Sequence, residues 1–251
     1  MKWKLAAAVA TLSLGACGTE PAPVPTETAS PALPDLPVMG EEVTIVALGD
    51  SLFAGYGVEP GQSYPARLEA ALRGRGINAR IVNAGVSGDT TSGGLQRIDF
   101  VLDGLKTPPA LVVISLGGND MLRGLPPAET LANLDKILAK LAERRIPVVL
   151  LGMLSAPNWG EEHAKAFNAI YPSLAKKYGA TLVPFFLQPV IGKPELVQAD
   201  RIHPTAQGLE EMVAATLDTI AVGQPYYQGA LLVVLQAGRG RVIVARYQWR
   251  K

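Results

Sequence analysis

Five short runs of mostly apolar residues punctuate the chain: VTIVALG at 43–49, ARIVNAG at 79–85, ALVVISLGG at 110–118, IPVVLLGML at 146–154 and ATLVPFF at 180–186. Each is continuous rather than alternating, and rich in Val, Ile and Leu. A strand with one face in water alternates apolar and polar residues; a strand covered on both faces does not. The runs therefore predict strands of a parallel sheet sealed between helices. Between them, apolar residues recur at helical spacing. In 129–143, Leu131, Leu134, Ile137, Leu138 and Leu141 fall on one helical face. A last helix is expected from Pro204, a favoured first-turn residue, with Leu209, Met212, Val213, Leu217 and Ile220 turned inward. Segment 161–178 is also helical in pattern, and Pro172 predicts a kink or break within it. Strands alternating with helices predict an α/β fold: a three-layer α/β/α sandwich around a five-stranded parallel sheet, with right-handed crossovers.

The alternation stops at both ends of the chain. Residues 1–17 place Lys2 and Lys4 before an apolar segment at 5–14 and the small residues LGAC. That is the layout of a secretory signal, too short to span a bilayer as a stable helix. LGAC resembles the lipobox of bacterial lipoproteins, which implies lipidation of Cys17 and an exported protein anchored to a membrane and facing the periplasm. Ordinary cleavage, leaving a free thiol and a soluble periplasmic or secreted protein, is the alternative. Cys17 is the only cysteine, so a disulfide or a cysteine metal cluster within one chain is excluded. Residues 18–42 are rich in Pro, Thr, Ala and Glu and read as a semi-rigid tether. Residues 43–222 suffice for one domain with a full hydrophobic core. The tail, 223–251, adds an apolar run, a Gly-Arg-Gly turn and an alternating run, with five basic residues and no acidic ones. It reads as a β-hairpin bending at AGRG or as an unstructured extension, and a basic arm touching anionic lipid is a further option. No role is assigned to it.

Charge narrows the partners. The chain carries 23 Lys and Arg against 22 Asp and Glu, a formal net charge of +1, which gives no reason to expect nucleic acid. Small-molecule chemistry is the better expectation, and its place is predictable. In open parallel sheets, ligands bind beyond the carboxyl ends of the strands, near the switch in strand order. Ser51 follows the first run, SGDTT (87–91) the second, GGND (117–120) the third, and DRIH (200–203) the fifth. All four should converge on one rim.

Serine after a strand is most often a helix N-cap, so Ser51 alone signals little. A serine hydroxyl becomes a nucleophile only when a base takes its proton, usually a histidine held by a carboxylate. The chain has two histidines. His203 lies three residues after Asp200, a spacing that in a turn lets the carboxylate reach Nδ1 and leaves Nε2 for Ser51. His163, in the charged stretch GEEHAKAF, is expected at a solvated surface. Acyl transfer also needs donors for an oxyanion. The candidates are the Ser51 backbone N–H, the Gly88 N–H and the Asn119 side-chain amide. Each has a plain alternative, Gly88 as a turn residue and Asn119 as a loop residue bonding its own backbone. Asp50 and Asp120 are read as cap and loop residues that fix their neighbours. No histidine pair has metal-ligand spacing, and the nucleophile elbow G-x-S-x-G is absent, since Phe53 stands two residues after Ser51.

GDSL at 49–52, SGDT at 87–90, GGND at 117–120 and DRIHP at 200–204 resemble the four sequence blocks of the SGNH, or GDSL, hydrolases. Similarity to the thioesterase I/arylesterase branch runs over about 43–221, including NAGVSGDTT and GGNDMLRGL. The resemblance implies a flavodoxin-like SGNH-hydrolase fold with a catalytic triad of Ser51, Asp200 and His203. It also implies an oxyanion hole of Ser51, Gly88 and Asn119, no cofactor and no metal. Gly85 is not the oxyanion glycine by this match. A mobile acyl-binding loop falls on Met121, Leu122, Arg123, Gly124 and Leu125, whose apolar character also suits plain packing. The implied substrates are carboxylic esters or thioesters of short to medium acyl chains, aryl esters and lysophospholipids among them, and no obligate protein partner is implied. An envelope carbohydrate O-acetyl esterase, or an idle lipoprotein that only binds in the cleft, are the rival readings.

Overall fold

The computed structural model describes residue 38 and residues 40–222, together with the backbone of two strands at 230–237 and 241–248. The expectations for Cys17, for the signal and for most of the tether lie outside the described residues.

Five parallel strands form the central sheet: β1 (Val43–Gly49), β2 (Ala79–Gly85), β3 (Leu111–Ser115), β4 (Val148–Leu151) and β5 (Thr181–Val183). They lie in the order β2-β1-β3-β4-β5, all parallel, which is the flavodoxin-like order. The apolar runs at 110–118, 146–154 and 180–186 thus contain shorter strands than their hydrophobic lengths. The remainder forms buried turns, with Leu116 and Met153 still in the core. The three interior strands β1, β3 and β4 carry the most completely buried sequences, whereas the edge strand β2 keeps exposed positions.

The helices are α1 (Ser51–Ala54), α2 (Tyr64–Gly74), α3 (Thr91–Asp103), α4 (Gly118–Leu122), α5 (Pro127–Glu143), α6 (Glu161–Asn168), α7 (Ile170–Tyr178) and α8 (Ala206–Val222). The chain leaves β1 toward β2 in one direction and travels from β2 to β3, β4 and β5 in the other. Right-handed crossovers then put α2 and α8 on one face and α3, α5 and α7 on the opposite face. The packed pairs follow this division: α2 against α8, α3 against α5, and α5 against α7.

Three elements differ in detail from their sequence pattern. On α5 the inward stripe is Thr130, Leu134, Ile137, Leu138 and Leu141, while Leu131 is 39% exposed. Thr130 wins the inward place because its hydroxyl lies 3.3 Å from the buried Asp120 carboxylate, a bond that leucine cannot make. The break expected from Pro172 falls at Ala169, between α6 and α7. Proline has no N–H for the Asn168 carbonyl four residues back, so the ladder fails there. The last helix starts at Ala206 rather than Pro204, because Pro204 pairs with Val197 in an isolated antiparallel bridge. Its five expected inward residues are all buried. In the tail, β6 (Ala230–Ala237) pairs antiparallel with β7 (Arg241–Gln248), and the bend between them lies outside the described residues.

The turn of helix after β1 is pinned from below. Phe53 is fully buried and stacks on Tyr64 with centroids 5.2 Å apart, and Phe186 meets both rings edge-on. The Tyr64 hydroxyl is 2.6 Å from Thr216 Oγ1, tying α2 to α8. For α1 to lie this close, β2 must end without a side chain. A Cβ on Gly85 would come within 2.3 Å of the Ala54 nitrogen and 2.7 Å of the Phe53 carbonyl carbon. Gly85→Ala is accordingly expected to lift α1 and cost about 1–3 kcal/mol, the usual range for overpacking, read by denaturant unfolding.

Candidate active site

The cap at the end of β1 is Asp50, not Ser51. The Asp50 side chain accepts the Leu52 N–H at 3.1 Å, and Ser51 is the first helical residue. The Ser51 hydroxyl is thereby released from capping and is 2.8 Å from His203 Nε2. His203 Nδ1 is 2.6 Å from Asp200 Oδ2. A carboxylate can only accept here, so Nδ1 carries the proton and Nε2 presents its lone pair to the Ser51 O–H. Ser51, His203 and Asp200, remote in sequence, meet as the motif spacing predicted.

The base is held by a tight loop. Gln198 N–H donates to the His203 carbonyl at 2.7 Å, Arg201 N–H to the Gln198 carbonyl at 2.9 Å, and Thr205 N–H to the Leu196 carbonyl at 2.9 Å. Asp200 Oδ1 accepts the Ile202 and His203 N–H groups at 2.9 and 3.0 Å. The His203 N–H and the His203 imidazole, followed by the Ile202 N–H, hold the Asp200 carboxyl down to about 2, so it is charged at neutral pH. Two further residues brace the dyad, and the sequence reading did not find them. The Gln198 amide donates to the Tyr56 carbonyl at 2.9 Å and to the Pro204 carbonyl at 2.8 Å, stitching the nucleophile's loop to the base's loop. The Tyr56 ring lies 4.4 Å from the His203 ring. The available signals were Tyr56 between two glycines directly after GDSL, and Gln198 two residues before Asp200.

The other two expected donors are Gly88, in the turn after β2, and Asn119, whose amide reaches Asp50 directly before Ser51. Gly88 adopts a left-handed backbone, φ 79°, which a side chain would strain. The Asn119 amide nitrogen donates to the Asp89 carbonyl at 2.9 Å and to Asp50 Oδ2 at 3.2 Å. Both of its hydrogens are therefore engaged within the protein, the Asp50 contact being the longer. Asp120 takes the role expected of a fixing residue: buried, it accepts the Thr91 N–H at 2.9 Å and the Thr91 and Thr130 hydroxyls.

The loop after GGND divides. Met121 packs on the hydrophobic core, and Leu122 is half exposed. Arg123 donates to the Gly88 carbonyl at 2.6 Å, strapping this loop to the Gly88 turn. Gly124 leaves room for the Trp159 ring, which a Cβ there would meet at 2.6 Å, and Leu125 is partly buried. Exposed apolar side chains gather on the same end of the sheet: Tyr56, Val86, Leu122, Leu154 and Ile202.

His163 is not the solvated surface residue its charged neighbours suggest. Its ring stacks between Trp159 and Phe167, with centroids 5.5 and 6.0 Å away, and Nδ1 is 3.1 Å from Ser155 Oγ. It falls four residues before the buried Phe167, on the inward side of α6, so helical geometry turns it toward the protein. Among the described residues, no group of three or more His, Cys, Asp or Glu side chains is placed to hold a metal ion.

The chain is similar to known proteins along most of its length. A model of the GDSL-like lipase/acylhydrolase family matches residues 47–210. The esterase TesA of Pseudomonas aeruginosa is 43% identical over 161 residues, covering 64% of this chain and 79% of that protein. Thioesterase 1/protease 1/lysophospholipase L1 of Escherichia coli is 38% identical over 161 residues, covering 64% and 75%. The crystal structure of AlinE4, an SGNH-hydrolase family esterase, superposes with a TM-score of 0.64 at 58% identity, covering 74% of this chain and 99% of that one.

Burial gives Asp50 a titration that can be tested. It is 3% exposed, and desolvation lifts its carboxyl to about 6 from an ordinary 3.8. The fold therefore favours protonated Asp50. The resulting stabilisation is full below 3.8 and is lost as pH rises through about 6. Between about pH 4 and about pH 8, the stability of the wild type relative to Asp50→Asn should fall by about 3 kcal/mol, measured by urea unfolding at each pH.

Proposed function

The chain belongs to the GDSL-like lipase/acylhydrolase family, and from that premise we propose that it is a serine esterase that cleaves carboxylic esters or thioesters of short to medium acyl chains through an acyl-enzyme on Ser51. The observation that carries this reading is the unbroken run of contacts from Asp200 Oδ2 through the His203 ring to Ser51 Oγ, at 2.6 and 2.8 Å.

Ser51 Oγ attacks the acyl carbonyl while its proton passes to His203 Nε2. Asp200 keeps the ring in the productive tautomer and offsets the charge it acquires. The carbonyl oxygen becomes an oxyanion facing the N–H groups of Ser51 and Gly88 and the Asn119 amide. Since both Asn119 hydrogens are already donated, the longer bond to Asp50 is the one shared or exchanged when the oxyanion forms. Collapse expels the alcohol or thiol, which takes the proton from His203. Water, deprotonated by the same nitrogen, then attacks the acyl-enzyme and releases the acid.

The exposed apolar side chains around the rim support an acyl chain as the bound portion. Residues 1–17 support export, with a lipid anchor on Cys17.

Ser51→Ala should lower ester turnover by at least about 10³-fold while the circular dichroism spectrum stays unchanged. Retained turnover would remove Ser51 from the mechanism. Asp200→Asn should lower kcat by about 10²–10⁴-fold, through loss of the tautomer-fixing acceptor. A panel of aryl esters from acetyl to dodecanoyl, run beside acyl thioesters, should show turnover beyond the acetyl ester. Activity confined to acetyl esters would favour carbohydrate O-acetyl removal instead.

A further inference from the structure

We propose that Arg97 is the positioning residue of the oxyanion pocket: one guanidinium that sets the places of all three donors without touching substrate. The inference rests on the esterase reading and extends it to a side chain outside the four sequence blocks.

Arg97 lies on α3. Its Nε donates to Asp89 Oδ2 at 2.7 Å, Nη1 to the Ala84 carbonyl at 2.7 Å and Nη2 to the Gly49 carbonyl at 2.9 Å. The arginine and aspartate side chains are only 20% and 13% exposed, so this is a largely desolvated, fully directed contact rather than a surface ion pair. Each acceptor leads to one donor. Gly49 is two residues before Ser51, and its carbonyl orients the peptide chain that delivers the Ser51 N–H. Ala84 and Asp89 bracket the turn that carries the Gly88 N–H. Asp89 serves twice, for its carboxylate holds Arg97 while its backbone carbonyl holds the Asn119 amide at 2.9 Å.

The carbonyls of Gly49 and Ala84 stand where β1 and β2 end. Three acceptors on two segments, the end of β1 and the end of β2 with its following turn, arranged around one centre, suit a planar fork of donors. Arginine supplies it, and the compact ammonium of lysine does not. Oxyanion stabilisation depends on donors preset within a few tenths of an ångström, since displacement by about 1 Å costs on the order of 10²-fold in rate. Arg97 is thus placed to convert loop ends into a rigid donor set.

The test is a double-mutant cycle on the full chain. Arg97→Lys should lower kcat/KM by about 10–100-fold per folded molecule, with KM within about twofold and the pH–rate profile unmoved, because Asp200 and His203 are untouched. In an Asn119→Ala background, which lacks one of the three donors Arg97 places, the same substitution should cost a smaller factor than it does in the wild type. A purely structural role predicts the same factor on both backgrounds, and that result would overturn the proposal, as would full kcat/KM in Arg97→Lys. If Arg97→Lys does not fold, Asp89→Asn carries the test. It keeps the carbonyl that holds Asn119 but weakens the acceptor of Nε, and it must show a kcat loss that shrinks when Asn119 is absent; a loss that does not shrink overturns the proposal. Ser51→Ala, assayed in parallel, separates the outcomes. An active Ser51→Ala discards the esterase reading itself, whereas an inactive one beside an unimpaired Arg97→Lys discards only the role of Arg97.

Discussion

A single turn of helix, Ser51–Ala54, has no stability of its own, because the first hydrogen-bonded turn costs more order than it returns. It exists in this protein because Phe53 is buried against Tyr64 and Phe186, and because β2 ends in a glycine that lets the turn lie flat. Everything chemical at the rim depends on that constraint. The turn directs the Ser51 hydroxyl toward His203. It also frees Ser51 from capping, since Asp50 performs that task. The hydrophobic core therefore reaches the chemistry through one phenyl ring.

The site has two parts built by different means. The donor side is largely buried: Asn119 bonds Asp50 and the Asp89 carbonyl, Asp89 bonds Arg97, and Asp120 separately ties the start of α3 to α5. The base side sits on a surface loop closed by the Val197–Pro204 bridge and braced by Gln198. Preset donors need rigidity, because they act on charge that appears only in the transition state. In the proposed reaction the base exchanges protons with leaving group and water, which access to solvent suits.

Sequence carried the fold well where periodicity follows burial. Continuous apolar runs marked the sheet, and the positions of Ser51, SGDT, GGND and DRIH after successive runs put them on one rim. Strand ends were less legible, because turns such as Leu116 and Met153 are as buried as the strands they follow. Leu131 misled the face of α5, since the inward position went to a threonine with a polar partner far away in the chain. His163 misled for the opposite reason: its neighbours in sequence are charged, but its neighbours in space are Trp159 and Phe167. Gln198 and Arg97 act through backbone carbonyls of other segments. That kind of contact leaves no residue-type pattern to read, which is why motif spacing found the triad and not its supports.

The Asp200 carboxylate draws its low proton affinity chiefly from two amides and an imidazole at hydrogen-bond length, not from distant cations. Dissolved electrolyte weakens exposed ion pairs, such as those joining Lys140 and Arg144 to Asp99, over a Debye length of about 10 Å at 0.1 M. Rising ionic strength should therefore loosen the flank of α5 before it disturbs Asp200, whose hold on the imidazole rests chiefly on directed hydrogen bonds from neighbouring amides.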